Sequence, residues 1–443
     1  MGSEWEATTV GALLGRDGGS VKTGPFGTVL KSAEYSTDGV PLISVGEVGY
    51  GSLEVRPSTP RAPREVVERL PEYLLESGDI VFGRKGAVDR SAHVRAEQAG
   101  WFLGSDGIRL RLPSTCDSRF VAYHLQSPPT RSWLIQHATG STMPSLNQNT
   151  IERIPIALPP IQEQRRIAGI LGALDDKIDL NRRMSQTLES MARALFKSWF
   201  IDFDPVRAKS EGLDTGLPDE IDNLFTDAVE LSDWGEIPCG WQPTALGDLC
   251  ERPQYGFTAS ATDQAVGPRF LRITDINKRP WIEWASVPYC EASETERRQY
   301  RVKPGDVLIA RMADPGHGVM IEEDTGAVYA SYLIRFRPID HRYDRFLQYW
   351  LRSDDYWSLV DGYRTGTTRA SLNAQVLSAF RLVLPPPALA DAFGTQVSGL
   401  RSLLTRNVSE STILSEARDH LLARLMTGAR TDRPKERVEG ARL

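Results

Sequence analysis

No stretch of this 443-residue chain approaches the roughly 20 apolar residues needed to cross a bilayer. The acidic, polar start Met1-Gly2-Ser3-Glu4 lacks the basic and apolar regions of a secretory leader, so a cytoplasmic protein without membrane association is expected. Only four cysteines occur, Cys116, Cys239, Cys250 and Cys290, and none shares a CxxC spacing; reduced structural thiols are expected rather than zinc ligands or disulfides. His93, His124, His137, His317, His341 and His420 show no metal-ligand spacing. A GxxxxGK[ST] nucleotide loop is missing, as is an Asn/Asp-Pro-Pro-Tyr/Phe motif of amino-methyltransferases. Asp175-Asp176-Lys177 has part of a nuclease triad but no upstream Pro-Asp partner, and reads as a solvated charged face of a helix. These absences argue against an enzyme, and no metal or cofactor is expected.

Net positive charge is also missing, since the formal charge is −6. The average conceals a segregation. Residues 201–240 contain eleven carboxylates against only Arg207 and Lys209, a local charge of −9 that leaves the rest of the chain at +3. A basic face on the remainder is therefore compatible with the composition.

What the chain does have is a second copy of itself. Trp5 and Gly11 match Trp241 and Gly247; Gly78-Asp79-Ile80 matches Gly305-Asp306-Val307; Ile108-Arg109-Leu110-Arg111 matches Ile334-Arg335-Phe336-Arg337. Thr139-Gly140, Leu146-Asn147 and Leu158-Pro159-Pro160 recur as Thr365-Gly366, Leu372-Asn373 and Leu384-Pro385-Pro386. A repeat of this length is a whole domain with an appended helix, so pseudo-twofold symmetry is expected. Each module carries short β-type runs such as Asp79-Ile-Val-Phe82 and Asp306-Val-Leu-Ile309 between Gly and Pro turns, which predicts a mixed, mainly β domain within an α+β chain.

The Pro pairs end the last strand of each module and precede long helical patterns. Leu171, Leu174, Ile178, Asn181, Ser185, Leu188, Ala192 and Leu195 alternate by three and four, and so do Val397, Leu400, Leu404, Asn407, Ser411, Leu414, Arg418 and Leu421. That is a heptad seam with polar residues at matching places. Antiparallel pairing would set Asn181 against Ser411 and Ser185 against Asn407, fixing register. A helix of about 40 residues is about 60 Å long, so the pair would serve as a spacer. Phe196, Trp199, Phe200 and Phe203 at the end of the first helix fit either a docking surface or core packing. The expected division is 1–158, first module; 159–200, first helix; 201–240, acidic surface linker; 241–384, second module; 385–428, second helix; and 429–443, a disordered tail.

Several motifs are similar to those of a known family. Gly140-Ser-Thr-Met-Pro-Ser-Leu-Asn147, Ile156-Ala-Leu-Pro-Pro-Ile-Gln-Glu-Gln164 and Arg166-Ile-Ala-Gly-Ile-Leu-Gly-Ala-Leu-Asp-Asp-Lys-Ile178 closely resemble the specificity subunit of type I restriction-modification systems. Met191-Ala-Arg-Ala-Leu-Phe-Lys-Ser-Trp-Phe200, Asp202-Phe-Asp-Pro-Val206, Gly24-Pro-Phe-Gly27 and Gly78-Asp-Ile-Val-Phe-Gly-Arg-Lys-Gly86 add to the likeness, which extends over nearly the whole chain. The second copy departs from the pattern, with Pro387-Ala-Leu-Ala-Asp391 in place of Ile-Gln-Glu-Gln and Thr367-Thr-Arg-Ala370 in place of Ser-Thr-Met-Pro. The resemblance implies two target-recognition domains, each reading half of a split site on double-stranded DNA and held apart by antiparallel helices. It also implies two docked methyltransferase subunits, with restriction motor-nuclease subunits joining for cleavage. A structural coiled-coil adaptor or a fused methylase-nuclease fragment is the alternative; missing catalytic motifs weigh against the latter and duplicated modules with divergent loops against the former.

Candidate DNA contacts are basic and hydroxyl side chains on loops present in both modules. Arg84-Lys85 corresponds to Ala310-Arg311; Lys meets phosphate as a point charge, whereas Arg can fork onto guanine O6 and N7. Ser141-Thr142 and Thr367-Thr368-Arg369 lie in Gly-led loops before the last strand and could donate to phosphate or base edges. Lys22, before Gly24, is a weaker candidate, and Asn147 and Asn373 fit either DNA contact or turn stabilisation.

Overall fold

A computed structural model describes residues 5–15, 18–140, 142–232, 235–277, 279–364 and 372–426. The chain forms two compact units, one comprising Met1–Ile178 with Ile413–Leu443 and the other Asp179–Thr412. The division cuts both long helices partway along, so each unit consists of one module and a segment of each helix.

In the first module, strands Ser20–Thr23, Gly107–Arg111, Ile80–Gly83 and Ser91–His93 form an antiparallel sheet in that order. Strand Val40–Ile43 pairs in parallel with Phe102–Leu103 and antiparallel with Arg61–Ala62, while Glu6–Thr9 pairs with Pro155–Leu158 and ties the start of the module to its end. Ile80-Val81-Phe82 is apolar throughout because both faces are covered. Ile80 and Phe82 enter one core with Ile108 and Leu110, and Val81 enters another with Ala92 and Leu103.

The second module repeats this topology: Gln254–Tyr255, Leu333–Phe336, Val307–Ala310 and Gly318–Met320 in one sheet, Phe270–Leu271 parallel to Val328–Tyr329, and Gln242–Ala245 against Arg381–Leu384. Val307 and Ile309 again face one core, Leu308 and Ala310 another. Each module is mixed, as expected, with short helices contributing at least as many residues as the strands.

The repeated Gly-Asp step has a structural cause. Gly78 and Gly305 take φ of +93° and +90°, which side chains disfavour. The following Asp79 and Asp306, each 1% exposed, accept the backbone N–H of Glu76 (2.7 Å) and Lys303 (2.8 Å). Their remaining lone pairs take two N–H bonds from Arg111 (2.7 and 2.8 Å) and Arg337 (2.6 and 2.8 Å). Each carboxylate thus fastens the start of one central strand to the end of its neighbour, through charge-assisted bonds that raise the arginines' pKa.

The long helices run Ile161–Phe200 and Pro387–Met426. Pro160 offers its carbonyl to Glu163 N–H, and Pro387 occupies the first helical position, where its missing donor costs nothing. In the first unit Asp175 pairs with Arg418 at 2.9 Å; in the second, Asn181 pairs with Glu410 at 2.9 Å and Glu189 with Arg401 at 2.7 Å. Residue numbers rise on one helix as they fall on the other, so the contacts are antiparallel. Leu171, Asn181, Ser185, Leu404 and Asn407 are buried; Leu174, Ile178, Leu188, Leu400, Ser411 and Leu414 are half-buried. The heptad seam is the inward face.

The amide-to-hydroxyl pairs do not form. Ser185 and Ser411 donate to the carbonyls of Asn181 (2.9 Å) and Asn407 (2.7 Å) on their own helices. This i to i−4 bond satisfies the hydroxyl without needing a partner on the other helix. It leaves Asn181 Oδ1 and Asn407 Nδ2 buried without partners. An unpaired buried amide donor costs about 1–3 kcal/mol, so Asn407→Leu is expected to stabilise the chain by about 1 kcal/mol. Thermal unfolding tests this, and a destabilised variant would mean that the amide has a partner the helices alone do not supply.

Residues 201–240 are more than a linker. They form helices Asp204–Ser210 and Asp219–Asp222 and the hairpin Val229–Ser232 with Gly235–Pro238. Val206, Phe225 and Ile237 are buried, the first two in the core of the second unit. The carboxylates leave the apolar positions free to pack. Phe196, Trp199, Phe200 and Phe203 belong to that same core, with Trp199 edge-on to Phe225 at 5.2 Å and Phe200 edge-on to Phe346 at 5.1 Å. Their covered rings exclude the docking reading. The charged face around Asp175 and Asp176 is solvated in part: Asp176 is exposed and pairs with Arg119 (2.7 Å), while Asp175 is half-buried and accepts from Tyr123 Oη (2.5 Å).

All four cysteines are free, and burial pushes the Cys250 and Cys290 thiols up to about 12 and 11. Among the described residues no helix is long and apolar enough to cross a membrane, and no group of His, Cys, Asp and Glu is placed to hold a metal ion. The expected tail, 429–443, lies outside the described residues.

Candidate nucleic-acid interface

Three loops meet where the central strand of the first module ends. Arg84 follows strand Ile80–Gly83; its N–H donates to Asp106 O (2.9 Å) and its carbonyl accepts from Leu146 N (2.8 Å). Lys85 bridges to Ser145, and Gly86 N–H donates to Pro144 O at 2.9 Å. Gly86 and Gly140 take φ of +74° and +102°, and a Cβ on Gly140 would lie 2.5 Å from Met143 O. These turns require glycine.

The result is a compact exposed edge. The Arg84 guanidinium lies over the Phe26 ring, 5.0 Å from its centroid, and donates to Ser105 O at 3.3 Å. Phe26 and Met143 are 55% and 59% exposed, Thr142 is exposed, and Lys85 stands 3.3 Å from Asp106. The fold therefore gathers Arg84, Lys85 and Thr142. Ser141 lies outside the described residues. Lys22 is engaged elsewhere: its ammonium sits 4.5 Å from the Tyr73 ring centroid and 3.9 Å from Glu72.

The second module rebuilds the same edge. Arg311 N–H donates to Tyr332 O (3.0 Å), its carbonyl accepts from Leu372 N (3.0 Å), and its guanidinium lies over Tyr255 at 5.2 Å. Arg311 is thus the counterpart of Arg84 itself, and Met312 that of Lys85. Tyr255 Oη accepts from Ala374 N (2.9 Å), and Tyr332 is 53% exposed. Thr367, Thr368 and Arg369 lie outside the described residues. Beside this edge a cavity of ≈ 580 Å³ is lined by Phe257, Phe270, Arg272, Asn277, Asp314 and Tyr332 among others. Asn277 Nδ2 donates to Asp314 at 3.0 Å, and a carboxylate can only accept, so the unpartnered Asn277 Oδ1 is a buried acceptor.

Asn147 and Asn373 are settled as helix caps, accepting the N–H of Thr150 (2.8 Å) and Val376 (2.9 Å). Phe26, Tyr255 and Tyr332 escaped the sequence reading. An aromatic-Gly pair, Phe26-Gly27 and Tyr255-Gly256, does stand in both copies and was the available signal. Chemically, each edge combines a planar cation, an exposed ring and loop donors, a set suited to phosphates and base edges.

Residues 26–190 match the family model described as the type I restriction modification DNA specificity domain. The chain is 25% identical over 337 residues to the type I restriction enzyme HindI specificity subunit of Haemophilus influenzae, covering 67% of this chain and 73% of that one. It is 24% identical over 325 residues to the MjaIX specificity subunit of Methanocaldococcus jannaschii, covering 70% and 68%. In fold it is similar to the crystal structure of a type I restriction-modification system S subunit from M. genitalium, with a TM-score of 0.56, 14% identity and coverage of 96% and 97%.

Proposed function

We propose, from the premise that this chain is a relative of the non-catalytic specificity subunits of type I restriction-modification systems, that it recognises a bipartite, asymmetric site on double-stranded DNA. In this reading each module reads one half of the site, and the chain directs methylation and cleavage by two methyltransferase subunits and by restriction motor-nuclease subunits in the cytoplasm. The observation that carries it is the twice-built edge: Arg84 over Phe26 and Arg311 over Tyr255, held by the same backbone bonds. Different neighbours, Lys85 and Asp106 against Met312 and Tyr332, support unlike half-sites. The long helices would act as the spacer. On the first of them Leu180, Met184 and Met191 are 51%, 41% and 53% exposed and share one face, which supports a role as a methyltransferase contact.

The test is methylome sequencing of the host with and without this chain. A split methylated motif is expected to vanish with the gene. Exchanging residues 241–384 for those of a relative is expected to change one half of the motif and keep the other. An unchanged methylome after deletion would overturn the proposal.

A further inference from the structure

Many arginines of this chain are paired with a carboxylate. Arg111, Arg119, Arg131, Arg337, Arg401 and Arg418 all are. Arg84 and Arg311 are not. Among the described residues the polar contacts of the Arg84 guanidinium are limited to the carbonyl of Ser105, and those of Arg311 to the sulfur of Met312 at 3.7 Å. Arg311 Nε is buried with no partner at all. A cation kept half-buried, without a counterion and with donors to spare, is under-satisfied in the free protein. Among the described residues Arg90, Arg269 and Arg335 also lie over rings without a carboxylate, but Arg84 and Arg311 alone among these stand at matching positions of the two modules, between matching backbone bonds.

The ring beneath each guanidinium sharpens the chemistry. Phe26 or Tyr255 beneath the guanidinium restricts where the fork can move, and the backbone on either side is pinned by bonds to two other loops. Tyr255 is itself pinned, since its Oη accepts from Ala374 N. A phosphate needs no such orientation, because its charge can be met from many directions by a mobile side chain. Two in-plane acceptors at fixed separation do need it, and in the major groove guanine offers O6 and N7 in that arrangement.

We propose that Arg84 and Arg311 are the specificity-determining residues for one guanine in each half-site, with Phe26 and Tyr255 as the positioning residues that hold the forks in plane. This rests on the DNA-recognition reading above. Each arginine donates two N–H bonds to one guanine edge, and the aromatic ring stays beneath it.

The experiment uses the chain assembled with its methyltransferase subunits. First, the methylated motif of the wild-type complex is read; no motif at all would fail the DNA-recognition reading itself. Arg84→Lys and Arg311→Lys, which keep the charge and lose the fork, are then compared. Each is expected to relax the motif at one guanine, in one half only and not the same half, with selectivity there falling roughly 5- to 150-fold. Phe26→Leu and Tyr255→Leu are expected to relax the same positions less severely. A variant that merely misfolds is separated by altering the DNA instead: 7-deazaguanine at the assigned position, which removes N7, is expected to weaken wild-type binding more than that of the lysine variant, which cannot make the planar two-bond contact. A uniform loss of affinity across sequences, with a shallower salt dependence and no change of motif, would identify phosphate contacts and overturn the proposal.

Discussion

Replacing Glu189 by alanine is expected to destabilise the chain by about 3–5 kcal/mol, because it strands two buried cations. Glu189 lies on the first long helix with its side chain 7% exposed, and its two oxygens meet Arg352 (2.6 Å) and Arg401 (2.7 Å), themselves 10% and 3% exposed. Arg401 continues to Glu322, which also takes Arg345 at 3.3 Å and Gln348 Nε2 at 2.5 Å. Within the second unit this chain of charges joins both helices to the module. Without Glu189, Arg352 retains the carbonyl of Pro280 and Arg401 retains Glu322, which leaves excess positive charge where water does not reach. Denaturant unfolding of Glu189→Ala measures the loss; an unchanged midpoint would mean that the network adds nothing to stability. Pairing the change with Arg401→Met is expected to recover part of it, since removing both partners avoids the unpaired charge.

The same network gives an acid limb. Burial by itself would raise the Glu322 carboxyl, but the charges of Arg401 and Arg345 outweigh it and hold the group below its ordinary value. The unfolded chain therefore binds the proton more readily. Stability from this group is full above the unfolded carboxylate range and is lost as pH falls through the lower folded value. In Arg401→Met that limb is expected to shift to higher pH.

Asp306→Ala is expected to cost about 1.5–3 kcal/mol, since it removes the acceptor of the Lys303 N–H and of the Arg337 guanidinium, which keeps only Glu251 at 3.9 Å. The damage should be local. Asp306 stands where strand Val307–Ala310 begins, so hydrogen exchange should accelerate across that strand and Leu333–Phe336 while Ile80–Gly83 keeps its protection. Asp79→Ala is the matched variant and should produce the converse pattern. Exchange that accelerated equally in both modules for either variant would refute the assignment of each Asp-Arg clasp to its own unit.

These two sites show how a repeat can be legible while its meaning is not. Gly78-Asp79 and Gly305-Asp306 stand out as matched text, and so do Arg111 and Arg337. Nothing along the chain joins the two matches into one ion pair, because the partners meet only when the strands lie side by side. The seam behaves in the same way. Its heptad spacing correctly gives two buried, antiparallel helix faces, yet Ser185 and Ser411 bond within their own helices. A hydroxyl's local option was open at every stage of folding, and the sequence pattern weighs only the option across the helices.

The candidate edge divides along the same line. Arg84, Lys85 and Thr142 were accessible to reasoning because they lie on turns whose glycines are visible. Phe26 and Tyr255 were not, since their rings reach the arginines across the fold, and the partners of Lys22, Glu72 and Tyr73, are distant in sequence.

The amino-acid order by itself determined the duplication, the helix periodicity, the turns and the caps, all of which follow from propensities acting within a few residues. Only the tertiary structure decided which charges are spent. Arg111, Arg337 and Arg401 find a carboxylate brought from afar, whereas Arg84 and Arg311 lie over aromatic rings. Pairing depends on distances in space that a linear spacing does not encode, so which arginines meet a carboxylate and which meet a ring could not be read along the chain.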